Sequence, residues 1–291
     1  MKTPLCAAVV ILFHPKCSLT QNINSFLPDV GIMYAFDNSP KSKNEYVEEL
    51  RRVKKIEYVT LGRNVGIAKA LNDIARMALL KGYQYLLTMD QDSYFTSPNL
   101  DSMISLSMND ARIGIVSPVH RVKNDLPEKV QGESEEILTT MTSGNLVNLK
   151  IWNNLGGFDE KLFIDYVDHE YCLRMNKNGY KVVRANHITL EHTVGDLKPR
   201  KFLFWTVRPL NHPPFRLFYQ TRNRFYLKKI YGKDFPEYFR RDTKLYWRGI
   251  VKVLLYENQK IMKIRMVLKG FLALWRNDFD ELYPNNGTYE E

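Results

Sequence analysis

Two aspartates set two positions apart, in Met89-Asp90-Gln91-Asp92-Ser93, close an apolar run that reads as a strand. Where a strand gives way to a turn, such carboxylates can converge on a hard divalent cation, which prefers oxygen ligands and lets phosphate oxygens complete its shell. The plainer alternative is a solvated turn at a strand end. A second stretch, Arg63-Asn64-Val65-Gly66-Ile67-Ala68-Lys69-Ala70-Leu71-Asn72, follows another strand and opens a helix. Its small residues let a ligand or a neighbouring element approach the backbone, and free amides at a helix start favour a diphosphate. Here the alternative is ordinary packing of a helix on a sheet. A third stretch runs from Gly156-Gly157-Phe158-Asp159-Glu160 into Phe163 to Arg174. Asp168 stands where a helix would begin, and a carboxylate there can take a proton from a bound hydroxyl group. Helix capping by Asp165 or Asp168 is the competing explanation. His192 could serve as a third metal ligand if it shares a pocket with the aspartates.

These groups need a scaffold, and the first half of the chain provides a recognisable one. Leu5–Phe13, Gly31–Asp37, Glu57–Leu61, Tyr85–Asp90 and Ile113–Val119 read as strands, and the stretches near Leu19–Phe26, Asn44–Val53, Ile67–Lys81 and Asn99–Asn109 carry apolar residues at helical spacing. Strand and helix alternating in this way imply right-handed crossovers and a mostly parallel sheet, with ligands at the carboxyl ends of the strands. Asp37, Asn64, Asp90 and Asp92 all fall at such ends. After Asp125 the pattern is irregular to Glu136, then resumes through Thr139–Leu149, a turn at Gly156–Gly157 and a strand from Val182 to His192. Past Gly195, basic residues (Lys198, Arg200, Lys201, Arg208) mix with Phe202, Phe204 and Trp205. Pro213–Pro214 breaks the chain, and helices are expected from Phe215 on, including Thr243–Tyr256 and Lys260–Arg276 with broad apolar faces beside Lys252, Lys263, Arg265 and Lys269.

Composition excludes several classes outright. With 291 residues, 44% apolar and 25% charged, the chain is neither disordered nor collagen-like. Its net charge of +10 is confined to the last third, because residues 1–195 hold 22 basic and 22 acidic side chains and residues 196–291 hold 20 and 10. Cys6, Cys17 and Cys172 form no framework, so a reducing cytoplasm fits. The run Leu5–Phe13 is about half of the ~20 residues that span a bilayer and reads as a buried strand. Neither the dinucleotide glycine fingerprint nor the P-loop pattern occurs, and no Ser-His-Asp or Cys-His arrangement is found.

Taken together, "FDNS" at Phe36–Ser39, "RNVGIAKALN" at Arg63–Asn72, "MDQDS" at Met89–Ser93, "SGNLV" at Ser143–Val147 and "GGFDEKLFIDYVDHEYCLR" at Gly156–Arg174 resemble bacterial family-2 glycosyltransferases of the GT-A fold, most of all the L-rhamnosyltransferases. The match spans about residues 5–195; the tail resembles the family only through "YQTRNRFYL" at Tyr219–Leu227. The resemblance implies an α/β fold, a Rossmann-like and mostly parallel central sheet flanked by helices. Residues 1–195 would form the nucleotide-sugar-binding and catalytic domain, and residues 196–291 a basic, mainly helical extension for acceptor and membrane association. It further implies that Asp37 contacts the nucleoside and that Asn38, Arg63, Asn64, Gly66, Gln91 and Gly144 help to hold the nucleotide sugar. Asp92 would coordinate Mg²⁺ or Mn²⁺, Asp90 would support the ribose or the metal, His192 would complete the metal site, and Arg222 would reach the diphosphate. Asp168 falls at the position of the general base, with Asp165 its competitor, because Val167 replaces the glutamate that usually opens that motif.

The reaction so implied is inverting transfer of L-rhamnose from dTDP-β-L-rhamnose to a cell-envelope glycan or a polyprenyl-diphosphate-linked acceptor. The alternative donors are UDP-activated galactofuranose, glucose, galactose or an N-acetylhexosamine; a non-catalytic protein binding membrane or nucleic acid is the alternative of another class. Between Lys198 and Lys269 there are 19 basic and 4 acidic residues, which suits a peripheral place on an anionic inner leaflet. The aromatics of that third also suit a homodimer.

Overall fold

The computed structural model describes residues 5–40, 45–96, 100–122, 132–192, 200–202, 205–207, 211–280 and 282. The chain divides into two compact units, one of residues 1–160 and 167–193, the other of residues 161–166 and 194–291.

In the first unit the elements run β1 (Cys6–Leu12), α1 (Thr20–Asn24), β2 (Ile32–Asp37), α2 (Glu45–Arg51), β3 (Ile56–Thr60), α3 (Ile67–Leu80), β4 (Tyr85–Asp90), β5 (Ser93–Phe95) and α4 (Leu100–Asn109). They continue through β6 (Ile113–Val122), β7 (Ser134–Ile137), β8 (Asn145–Asn148), α5 (Leu149–Asn154), α6 (Val167–Lys177) and β9 (Lys181–His192). All these strands share one sheet in the order β3-β2-β1-β4-β8-β6-β9-β5, with β7 paired to β9. The strand β1, CAAVVIL, is buried at every position, as a strand covered on both faces must be. One of its faces (Cys6, Ala8, Val10, Leu12) packs with Met33, Ala35, Leu87 and Met89 against Ile23 of α1 and Val47 and Leu50 of α2. In α3, Leu71, Ile74, Ala75 and Ala78 bury one stripe at helical spacing.

The expected parallel order holds for β3, β2, β1 and β4. Beyond β4 the sheet is mixed: β8 runs antiparallel to both β4 and β6, β6 and β9 are parallel, and β5 and β7 pair antiparallel with β9. The polar stretch read as irregular contributes β7, whose exposed Ser134, Glu135 and Glu136 carry no apolar alternation to reveal it. Asn44, Asn99 and Asp125 lie outside the described residues.

The second unit holds the hairpin β10 (Arg200–Phe202) and β11 (Trp205–Val207), then α7 (Pro214–Tyr231), α8 (Pro236–Tyr256) and α9 (Lys260–Arg276). Helix α8 starts well before the expected Thr243, at a proline in its first turn. Lys198, Phe204 and Arg208 lie outside the described residues, as do the side chains of Arg200, Lys201, Phe202 and Trp205. The core joins Leu217, Phe218 and Tyr219 of α7 to Tyr246, Ile250 and Val253 of α8 and Met266, Val267 and Ala273 of α9. Helices α7 and α9 meet at Gly270, where an added Cβ would stand 2.7 Å from the Phe218 carbonyl oxygen. Lys263, read as standing beside the apolar faces of the last helices, is buried: its ammonium bonds Glu257 at 2.7 Å and Asn211 Oδ1 at 3.0 Å, at the corner between α8 and α9. Removing one member of a buried pair strands the other charge. Lys263→Met is therefore expected to lower unfolding stability by about 3–5 kcal/mol, and Lys263→Met with Glu257→Gln by clearly less, as read from urea midpoints.

Candidate functional site

Parallel pairing brings the sequence candidates to one edge of the first unit's sheet. Leu12 of β1 lies opposite Asp37 of β2, and Ile11 lies opposite Asp90 of β4. The two aspartates thus flank one strand end, about 10 Å apart by strand spacing. Backbone register also sets Ser93, the residue after Asp92, directly opposite His192 where β5 meets β9. The polypeptide therefore brings the Asp90-Gln91-Asp92 turn and His192 into neighbouring strands although about a hundred residues separate them in sequence. The side chain of His192 lies outside the described residues; among those described, no three acidic, histidine or cysteine side chains converge as a metal site. Asp90 and Asp92 are half-buried, and two carboxylates with an imidazole form a donor set suited to Mg²⁺ or Mn²⁺.

The loops beyond the strands are sewn together by side chains. Gln91 accepts from Phe13 N at 2.9 Å and donates to Phe13 O at 3.2 Å, tying the end of β4 to that of β1. Asn38 accepts from Val65 N at 2.8 Å, and Ser39 accepts from His14 N at 2.8 Å. Asn64 turns back to accept from Gly66 N at 2.9 Å as α3 begins. Asp37 is buried and accepts from Ser39 N (2.9 Å) and the Tyr58 hydroxyl (2.7 Å). Burial and this carboxylate both push the Tyr58 phenol upward, which keeps it a donor. Arg63 is exposed on the same loop as Asn64. Ser39 and Tyr58 escaped the sequence analysis, though Ser39 closes the quoted motif.

The turn Thr142-Ser143-Gly144 links this edge to the start of α6. Ser143 Oγ accepts from Asp90 N at 3.0 Å, and Gly144 N donates to Thr88 O at 2.7 Å. Gly144 has φ +80°, and a Cβ there would come within 2.7 Å of Pro118, so only glycine fits. On the other side, Asp168 Oδ2 accepts from Thr142 N (3.1 Å) and Thr142 Oγ1 (3.4 Å), while Oδ1 accepts from His169 N (2.8 Å). All these donors are neutral, and the side chain is only half-buried. Its oxygens thus keep lone pairs for one further proton donor. Cys172, one turn along α6, is buried with its thiol pushed up to about 12 by desolvation, and burial pushes Cys6 up as well, so neither is a thiolate nucleophile.

Around α6 other polar letters of the motifs make structural bonds. Glu170 forms a two-pronged ion pair with Arg174, whose guanidinium also reaches the carbonyls of Leu155 (2.5 Å) and Gly157 (2.6 Å). Asn72, the last letter of "RNVGIAKALN", is buried and holds Phe158 through both its backbone N–H (2.8 Å) and its carbonyl (2.9 Å).

Within the second unit, Asp165 is gripped by Arg216, with contacts of 2.5 and 3.3 Å. Asp165 and Tyr166 both have positive φ, +63° and +69°, a strained pair of non-glycine residues. Asn223 holds it by donating to the carbonyls of Ile164 (2.8 Å) and Asp165 (2.9 Å), and Tyr166 donates to Asp242, itself paired with Arg224. Arg222 departs from its expected role at a diphosphate. It is fully buried, stacked over Phe218, Tyr219 and Phe279, with its guanidinium donating to the carbonyls of Lys161 (3.3 Å) and Asp280 (3.3 Å). The motif "YQTRNRFYL" thus clamps residues 161–166, a role its basic letters did not suggest.

A sheet with carboxylates at its strand ends and a tethered acid at a following helix defines a class, and the comparisons identify it. The family model described as Glycosyl transferase family 2 matches residues 15–173; the chain belongs to the family-2 glycosyltransferases and is an enzyme of that kind. Its sequence is 30% identical over 239 residues to the dTDP-rhamnosyl transferase RfbF of Shigella flexneri, covering 76% of this chain and 78% of that protein. Solved structures share the fold. One is GalNAc-T7 with UDP, GalNAc and Mn²⁺ (TM-score 0.62, 13% identity, 94% of this chain and 56% of that one). Another is S. aureus TarS residues 1–349 with UDP (TM-score 0.53, 12% identity, 93% of this chain and 72% of that one). The chain spans little more than half of the first of these.

Ser143→Ala removes the hydroxyl to which the Asp90 amide donates. An expected loss of about 1–3 kcal/mol in urea unfolding checks this. Asn72→Ala strands both polar groups of Phe158 and is expected to cost at least as much.

Proposed function

We propose that this enzyme transfers L-rhamnose from dTDP-β-L-rhamnose to a cell-envelope glycan or lipid-linked saccharide, with inversion at the anomeric carbon. Asp168 takes the proton of the acceptor hydroxyl as that oxygen attacks the anomeric carbon, and the bond from that carbon to the diphosphate oxygen breaks in the same displacement. Thr142 and the His169 amide fix the carboxylate, so its free lone pairs meet the acceptor in one orientation. Asp165 suits the role less well, because Arg216 already occupies both its oxygens. Asp92, with Asp90 and His192, holds Mg²⁺ or Mn²⁺, which when bound supplies positive charge for the leaving nucleoside diphosphate. Asp37, Asn38, Arg63, Asn64, Gly66, Gln91 and Gly144 shape the nucleotide-sugar site, several of them by fixing loops rather than by direct contact. Residues 196–291 serve the acceptor side, at an anionic membrane surface where the lipid-linked saccharide resides.

The observation that carries the metal-assisted reading is the register that sets Ser93 opposite His192; the donor rests on the likeness to the rhamnosyl transferase. A ligand that binds only the folded chain raises its stability. In a thermal-shift panel of dTDP, UDP, GDP and CDP, the expected outcome is the largest rise with dTDP, abolished by EDTA and by Asp92→Asn. A preference for UDP would move the donor to a UDP-sugar, and silence toward every nucleotide would overturn the reading. Asp168→Asn is expected to cut turnover of dTDP-rhamnose by about 10²–10⁴-fold while dTDP still stabilises the variant. Proton NMR of the fresh product reads the inversion.

A further inference from the structure

The outer side of α9 is apolar where a helix on a soluble core is ordinarily polar. Its inner stripe, Met266, Val267, Gly270 and Ala273, is buried. On the far side Ile261, Leu268, Leu272 and Trp275 are 74%, 63%, 43% and 82% exposed. Their spacing of seven, four and three residues sets them in one line along the helix. Arg265, Lys269 and Arg276 run beside that line, all exposed, and α9 contains no acidic residue. Helix α8 adds exposed Trp247, Val251 and Leu254 with exposed Arg248 and Lys252. Single exposed apolar residues are ordinary; an aligned row of four large ones is a binding surface.

We infer that α9 lies in the plane of an anionic bilayer, with Ile261, Leu268, Leu272 and Trp275 at the acyl boundary and Arg265, Lys269 and Arg276 among the lipid phosphates. This deepens the membrane-surface reading above by naming the element that makes the contact. It also narrows the basic third, because Arg216, Arg222, Arg224 and Lys263 are engaged inside the unit, and the exposed basic residues that flank an aligned apolar row are those of α8 and α9. Charge decides the occupant. A two-fold contact between copies would set this basic row against itself, with no acid in α9 to answer it, whereas lipid phosphate answers every cation. No helix among the described residues is long and apolar enough to cross a membrane, so the geometry is that of a helix lying on the surface.

The test floats the full chain with vesicles of phosphatidylcholine alone and of phosphatidylcholine mixed with phosphatidylglycerol. Binding to the mixed vesicles, at least about tenfold weaker to the neutral ones and weakened by salt, is expected, with a blue shift of tryptophan emission. Leu268→Ser with Leu272→Ser should lose at least about tenfold in binding to the mixed vesicles, and Lys269→Glu with Arg276→Glu should lose the preference for them. Both double variants should keep the wild-type melting temperature and stabilisation by dTDP, since these side chains point outward. Asp168→Asn should bind vesicles as the wild type does, which separates this inference from the fate of the proposed reaction. Failure to float with mixed vesicles would overturn it, as would a lipid-free dimer that the leucine variants dissolve.

Discussion

At the carboxyl edge of the first unit, Asp90 and Asp168 are joined through one turn, Thr142-Ser143-Gly144, that hydrogen-bonds in two directions. Through Ser143 it fixes the backbone of Asp90, and through Thr142 it fixes the carboxylate of Asp168. Asp90 at its strand end and Asp168 at its helix start are thereby linked by a connection of a few bonds. Gly144 makes this possible, since its φ and its closeness to Pro118 exclude any side chain. In the proposed displacement, a fixed separation between base and leaving-group support matters because orientation achieved before the reaction need not be paid for during it.

That fixed geometry explains why so many polar residues of the motifs face one another instead of solvent. Gln91, Asn38, Asn64 and Asn72 each satisfy backbone groups of a loop other than their own strand or helix, or of the turn they begin. Loops at strand ends leave amides and carbonyls without ladder partners, and buried ones must find partners elsewhere. Amides of asparagine and glutamine can donate and accept together, which suits them to this task. A motif residue at such an edge can thus be indispensable without touching a substrate.

Sequence alone revealed the parallel half of the sheet because β1, β2 and β4 are continuous apolar runs, the last two closed by an aspartate. It did not reveal the mixed half. The strand β8 is only four residues long, and β7 alternates no apolar residues, so their pairing is decided by contacts with β9 and β4 that no local pattern encodes. Asp90, Asp92 and Asp168 stood out in sequence through the motifs around them, since an acid at a helix start is by itself an ordinary cap. Thr142 and Tyr58 were not, since a hydroxyl that orients a carboxylate looks like any other hydroxyl.

The basic third shows the same limit from the side of charge. A net excess in sequence reads as a surface, yet a guanidinium is also the best buried donor for a cluster of carbonyls and the best cation to stack on aromatic rings. Arg222 does both, Arg224 bridges Tyr166 and Asp242, and Arg216 holds Asp165 against its positive φ. The arginines Arg216, Arg222 and Arg224 of α7 therefore build the unit's interior, while Lys228 and Lys229 at its end and the basic residues of α9 that alternate with leucine and tryptophan remain outside. What separates the two sets is the identity of the residue at the opposite face: α7 is buried around much of its circumference, whereas α9 already has a complete inward stripe without its outer row. An apolar row that the core does not need is a row kept for something else.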